Sequence, residues 1–217
     1  MSKNKLETID FQQIHPKDAS RKGILITKKH TMNGYKFLCY NVGIADEFNI
    51  MNYHYEVTLG SFAIFNSTIK NKSYPVGYIT RMRTSSSKLV FKISEYRNSA
   101  LDYSTPPQDI FLHIKDNSSI FKAKPLSMSL IIDSKVMHNQ KPYNSNGLNL
   151  MKFSPQVENH AVTSHSNFRL VDISDVCVLE CIKMDTKNSQ LYVHYTNDLK
   201  PWQAFAVCCI KSCIKSI

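Results

Sequence analysis

Glycine is scarce in this chain, 6 of 217 residues, and the few present never cluster into a loop that could cradle a nucleotide phosphate. The strand–turn–helix nucleophile pattern G-x-S-x-G is missing, as is the zinc-protease pattern H-E-x-x-H. There is no heptad, no internal repeat, no low-complexity tract and no proline- or glycine-rich linker. These absences leave no positive sign of nucleotide hydrolysis, of serine hydrolase chemistry or of a multidomain array. Catalytic residues far apart in sequence would not show in such patterns, so the expectation of no enzyme rests on the lack of any local nucleophile–base pair. Acidic residues are also short, 17 against 27 Lys and Arg, for a net charge of +10. That excess suits a polyanion, either nucleic acid or the anionic face of a membrane, and suits plain solubility equally well.

Metal and redox chemistry have little support. The eight histidines are scattered, and His160 and His165 form the closest pair, in a polar stretch. Cys177 and Cys181 are expected on one strand face, with Cys208, Cys209 and Cys213 on a final helix. A zinc site would require strand and helix to meet, and buried cysteine more often acts as a small hydrophobe. No metal ligand and no cofactor are assigned. Met1 to Lys5 is polar and does not read as a secretory leader. Residue 2 is Ser, and Cys213 lies one position off a prenylation box, so no lipid anchor is expected. A cytoplasmic or nuclear address with reduced thiols is the corresponding expectation.

The one long greasy segment is at the end. Pro201 to Ile217 reads as a helix, and Trp202, Ala204, Phe205, Ala206, Val207, Cys208, Cys209 and Ile210 leave it no polar stripe. Such a helix must be wrapped on all sides. It is interrupted by Lys211 and Lys215 and falls short of the ~20 apolar residues of a membrane span. The rest is strand-like: Gly23–Thr27, Tyr35–Tyr40, Ser61–Phe65, Val76–Arg83, Lys88–Ile93, Ser127–Ile132, Val176–Lys183 and Gln190–Tyr195, separated by turn formers. Val176–Lys183 is almost continuously apolar, as for a strand covered on both faces. A mainly β chain ending in a wrapped helix suggests a barrel closed around a plug.

Within Tyr78-Ile79-Thr80-Arg81-Met82-Arg83, a strand would place Arg81 and Arg83 on one face, about 7 Å apart. Tyr78 and Met82 would then point to the core. Two guanidinium forks at that spacing can address neighbouring phosphates with bidentate hydrogen bonds. Two arginines on an ordinary solvated face would look the same in sequence.

Several segments, in one order across residues 8 to 217, resemble the tubby family. Leu191 to Ala206, with Asn197-Asp198-Leu199-Lys200-Pro201-Trp202-Gln203-Ala204-Phe205-Ala206 at its end, is similar to the family's closing strand and L-Q-A-F-A-I helix. Ser166-Asn167-Phe168-Arg169-Leu170-Val171 resembles K-N-F-Q-L-V, and Met128-Ser129-Leu130-Ile131-Ile132 resembles M-S-V-I-I. Tyr78 to Phe91 aligns without a gap to Y-I-G-K-L-R-S-N-x-x-G-T-x-F, and Asn33 to Leu38 to D-G-K-x-F-L-L.

The resemblance implies a closed twelve-stranded β-barrel around a central hydrophobic C-terminal helix, with residues 1–7 a short tail and 8–217 one domain. It implies a non-enzymatic phosphoinositide-binding module of the phosphatidylinositol 4,5-bisphosphate type, recruited reversibly to the plasma or ciliary membrane, with trafficking partners or protein cargo. The family's basic pair falls on Arg81 and Arg83. A headgroup-contacting asparagine falls on Ser61, with Asn52 as rival. The family's third basic residue falls on Leu126, a departure for which Lys124, with Lys122 near it, could compensate, and Lys88 could add charge. Thr80 replaces the family's glycine, and the Asn41 to Gly60 region is about ten residues longer than usual. The alternative reading is an adaptor or transcription-related factor with a degenerate lipid site. Nucleic-acid binding is disfavoured because no reading helix and no aromatic platform accompany the charge.

Overall fold

The computed structural model describes residues 21–31, 34–41, 47–53, 61–66, 75–82, 88–97, 108–115, 127–145, 148–154, 158, 161–164, 166–184 and 190–214. Its elements are strands β1 (Arg21–Thr31), β2 (Gly34–Asn41), β3 (Glu47–Tyr53), β4 (Ser61–Asn66), β5 (Gly77–Met82), β6 (Lys88–Glu95) and β7 (Ile110–Lys115). There follow β8 (Ser127–Ile132), β9 (Lys135–Asn139), β10 (Tyr143–Ser145), β11 (Leu148–Leu150), β12 (Phe168–Val171), β13 (Cys177–Lys183), β14 (Gln190–Thr196) and helix α1 (Pro201–Cys213).

The chain is mainly β, one antiparallel sheet with a single C-terminal helix among the described residues. Strands β1 to β9 pair as successive neighbours, β9 pairs with β12, and β12, β13 and β14 continue the sheet. β1 pairs with β2 on one edge and with β14 on the other, so the order returns on itself as a closed barrel, with the β10–β11 hairpin outside it. Closure removes the open edges that antiparallel sheets must otherwise protect. The β8–β9 link is a two-residue turn in which Asp133 and Ser134 both take positive φ, 46° and 68°. That is the backbone a tight hairpin demands of its two central residues.

Alternation sorts the walls. Ile24, Ile26, Phe37, Cys39, Ile64, Ile79, Phe91, Ile93, Leu112, Leu130 and Leu170 belong to one buried cluster with the helix residues from Trp202 to Ile210. Helix α1 is buried on every side from Trp202 through Lys211, as its all-round apolar sequence requires. It begins with Pro at N1, and Gln203 Oε1 accepts the Lys200 backbone N–H at 2.7 Å. The helix ends at Cys213, short of the expected Ile217; residues 215–217 lie outside the described set.

β13 is buried at six consecutive positions, Cys177 to Ile182. Inside, Leu179 and Cys181 meet the helix cluster; outside, Ile182 packs with Phe153, Met184 and Tyr192 in a second cluster. The two-sided cover expected of this strand is therefore present. Its exception is Val176, which is 52% exposed just before the strand. The expected common face for Cys177 and Cys181 is not found. A register shift between Leu170 and Val171 pairs Leu170 with Leu179 but Val171 with Cys177, leaving Val178 as the extra residue. The bulge turns Cys177 to the outer side, where its thiol hydrogen-bonds Arg169.

Candidate functional site

Arg81 lies next to the end of β5, its Cα paired with Phe91, and its side chain is partly buried. It alternates in phase with Gly77 and Ile79, both buried, while Tyr78 and Thr80 are partly exposed and Met82 is 41% exposed. The expected orientation of this strand is thus reversed: Tyr78 and Met82 face outward and Arg81 shares the inward face. The reason is Gly77, where a Cβ would come within 2.6 Å of the Trp202 ring, so this face is the one that meets the helix. At the level of Arg81 the strand is one residue from its end, so the guanidinium sits at the mouth of the barrel rather than on its outer wall.

Of the other expected site residues, Arg83 and Lys124 lie outside the described residues, as do Lys122 and Leu126. The Ser61 Cα pairs with Thr80, the residue before Arg81, and β3, carrying Asn52, is the next strand over. The strand ends bordering the undescribed segments 83–87 and 116–126 are neighbours: Lys88 pairs with Lys115, and Lys115 with Ser127.

The register divides the described charges between the two barrel ends. At the end holding Arg81 are Lys88, Lys115, Lys183 and Lys28, with Lys211 buried in the last turn of the helix. At the opposite end lie Glu95, Asp109, Asp133, Asp172, Asp175 and Asp198, accompanied by Lys22, Lys92, Arg97, Lys135 and Lys200. Three of those cations are engaged locally: Lys92 with Asp109 at 2.7 Å, Lys135 with Asp198 at 3.2 Å and Lys200 with Glu95 at 2.6 Å. Arg81 takes part in no ion pair among the described residues.

The helix runs from the acidic end to the basic one. Its C-terminal carbonyls carry partial negative charge. Lys28 answers them, donating to the Ser212 carbonyl at 3.2 Å while lying 5.7 Å from the Phe37 ring centre. Lys211 is held below the ordinary lysine range by burial, partly offset by the Cys181 side chain. Sequence reasoning points to none of Lys28, Lys115 and Lys211. The signal that could find them is hairpin connectivity, since alternate turns of an antiparallel barrel lie at one end.

A buried polar cluster on the outer side of β12–β14 likewise escapes the sequence. Glu180 is fully buried; it accepts from Ser154 Oγ, from the Ser154 N–H at 3.2 Å and from His194 Nδ1 at 3.0 Å. Arg169 Nε stands 3.9 Å from the same carboxylate. Burial pushes the Glu180 carboxyl up, but the hydrogen bonds from His194 and Ser154 outweigh it and hold the group below the ordinary range. His194 Nε2 lies 3.1 Å from the Tyr192 hydroxyl, whose own ionisation is pushed well up by burial and by Glu180. Glu180 can only accept, so Nδ1 bears the proton and Nε2 accepts from Tyr192 when the ring is neutral. Ser154 bonds the carboxylate rather than the imidazole, so these residues do not form a nucleophile–base pair. They fasten residues 151–154 over the wall.

The thiols behave similarly. Cys181 and Cys208 do meet, sharing a hydrogen bond, with Cys209 and Cys39 close by, and burial raises the thiols of Cys208 and Cys209 well above the ordinary value. Among the described residues no group of three or more His, Cys, Asp or Glu is arranged to hold a metal ion. A cavity of about 230 Å³ at the acidic end is lined by Gln108, Ile132, Asp133, Lys135, Met137 and Asp198 among others. Its polar groups are bonded to one another, Gln108 to Asp133 at 2.6 Å and Lys135 to Asp198. No helix of the described residues is long and apolar enough to cross a membrane. No protein-family model matches the chain, and no curated protein matches it.

Proposed function

We propose that this protein is a non-enzymatic phosphoinositide-binding module of the tubby type, a twelve-stranded barrel plugged by its C-terminal helix and recruited reversibly to membrane. The observation that carries the reading is the group of cations at one end of the barrel, Lys28, Lys88, Lys115 and Lys183, with Arg81 on the inward face of β5 one residue from the strand's end. A phosphorylated headgroup approaching that end meets Arg81 first, with Arg83, Lys124 and Ser61 assigned to the same site by the family resemblance. Each basic side chain near an anionic membrane contributes about 1 kcal/mol, so Arg81 and Arg83 together supply roughly thirtyfold. Attachment is consequently weak, salt-sensitive and dependent on the further cations of this end. Approach by the barrel mouth replaces approach by the outer wall, because Arg81 shares the inward face of β5.

The test is sedimentation with vesicles carrying phosphatidylinositol 4,5-bisphosphate or other phosphoinositide isomers. The Arg81→Ala, Arg83→Ala double variant is expected to lose the preference for bisphosphorylated lipid. Unchanged preference in that variant removes the site.

A further inference from the structure

Two turns at the end opposite Arg81 carry apolar side chains that stand in solvent. β9 pairs with β12, His138 facing Val171, so the β8–β9 turn and the β12–β13 turn are neighbours at this end. Val136 lies at the start of β9, two residues beyond His138, and Ile173 and Val176 belong to the second turn. All three are exposed, Ile173 to 98%. A lone exposed isoleucine or valine is ordinary on a protein surface, whereas three on adjoining turns make a patch. The second turn is fastened: Asp172 Oδ1 accepts the Ser174 and Val176 N–H groups at 2.9 and 2.8 Å. The Asp172 N–H donates in turn to the Val176 carbonyl at 3.0 Å. A fastened loop presents Ile173 with little left to order when a contact forms.

The charge around the patch is negative. Asp133 in the first turn, and Asp172 and Asp175 in the second, take part in no ion pair among the described residues. Asp133 bonds the neutral amide of Gln108, and Asp172 bonds backbone N–H groups. Of the cations nearby, Lys135 is tied to Asp198 at 3.2 Å. Arg169 attracts Asp175 through space, but its hydrogen bonds go to Gln140, the Lys152 carbonyl and Cys177.

We propose that this patch is a docking surface for a protein segment in which an apolar side chain is flanked by Lys or Arg. The apolar group seats against Ile173 and Val176, and the flanking cations lie beside Asp133, Asp172 and Asp175. Burial of the isoleucine supplies affinity, while the carboxylates steer the partner and select its charge. The surface lies at the far end of the barrel from Arg81, so it stays open while the Arg81 end rests on anionic lipid. It goes beyond the membrane reading and does not depend on it.

The test is fluorescence anisotropy, without vesicles, of a short labelled peptide with a leucine pair flanked by lysines. The reference is the same peptide with serine in place of leucine. The wild-type chain is expected to bind the leucine peptide at least about tenfold more tightly. Ile173→Ser with Val176→Ser is expected to erase that difference. Ile173→Ser alone, at a position in open solvent, loses most of it and covers the case in which the double variant misfolds. Asp133→Asn with Asp175→Asn replaces two residues at positive φ, which asparagine tolerates. That variant is expected to weaken binding about twofold or more and to flatten its salt dependence. Arg81→Glu binds the peptide at least as well as wild type, which separates this surface from the lipid site. Equal binding of the two peptides by wild type overturns the proposal, as does a leucine preference that survives in both serine variants. Unchanged binding by the aspartate variant also overturns it. So does concentration-dependent self-association that Ile173→Ser abolishes, since the patch then belongs to a second copy.

Discussion

Glu180 and His194 face each other across the β13–β14 pair, carboxylate to Nδ1 at 3.0 Å, in a site closed to solvent. Replacing the carboxylate with an amide leaves one accepting oxygen where Ser154 and His194 had two, and removes the countercharge 3.9 Å from Arg169 Nε. Glu180→Gln is expected to destabilise the fold by about 3 kcal/mol, the usual cost of breaking a buried pair. Chemical denaturation at pH 7 reads this directly.

The same carboxyl predicts a pH dependence. Its folded-state pKa is depressed below the ordinary carboxylate value, about 4.3. Its contribution is complete above that value and is lost as pH falls through the lower, folded-state one. Wild type should thus lose more stability than Glu180→Gln on acidification below about pH 4.3. Parallel stability curves for the two proteins would contradict the assignment.

Gly77→Ala places a Cβ 2.6 Å from Trp202 Cζ3 and 2.9 Å from the Ser94 carbonyl oxygen. A backbone oxygen cannot swing away as a side-chain tip can. A loss of about 1–3 kcal/mol is expected, the range for overpacked sites. A lowered urea midpoint is the readout.

Phe205 is fully buried at the middle of the helix. Phe205→Ala removes an aromatic side chain that the surrounding strands cannot collapse to replace, at a cost of about 3–5 kcal/mol. The six cysteines provide an independent reading of the same packing, since all are free and buried. A thiol reagent should label the native protein slowly and all sites together on unfolding. Rapid labelling of Cys208 or Cys209 in native buffer would mean that the helix is not wrapped.

The helix and strand β13 are legible in the sequence because burial on every side, or on two sides, leaves no choice but an unbroken apolar run. Strand β7 (Ile110–Lys115) is harder to read, being apolar inward and mixed outward, and β12 has only four residues. The orientation of β5 is hidden because Tyr78 and Met82 are bulky and apolar, while the true inward face includes a glycine. That glycine is needed only because Trp202, far along the chain, lies over it. The Glu180–His194–Ser154 cluster has no sequence signal, since its members come from separate segments brought together by pairing. Cysteine placement fails at a single bulge, where one extra residue inverts the face of everything before it.

Charge reversal at each end of the barrel decides whether anionic lipid is held beside Arg81. The comparison sets Arg81→Glu against an Asp133→Lys control, in sedimentation with phosphatidylinositol 4,5-bisphosphate vesicles. Arg81→Glu is expected to lose binding, while Asp133→Lys, at the far end, binds at least as well as wild type. Equal binding by wild type and Arg81→Glu is incompatible with a site at that mouth.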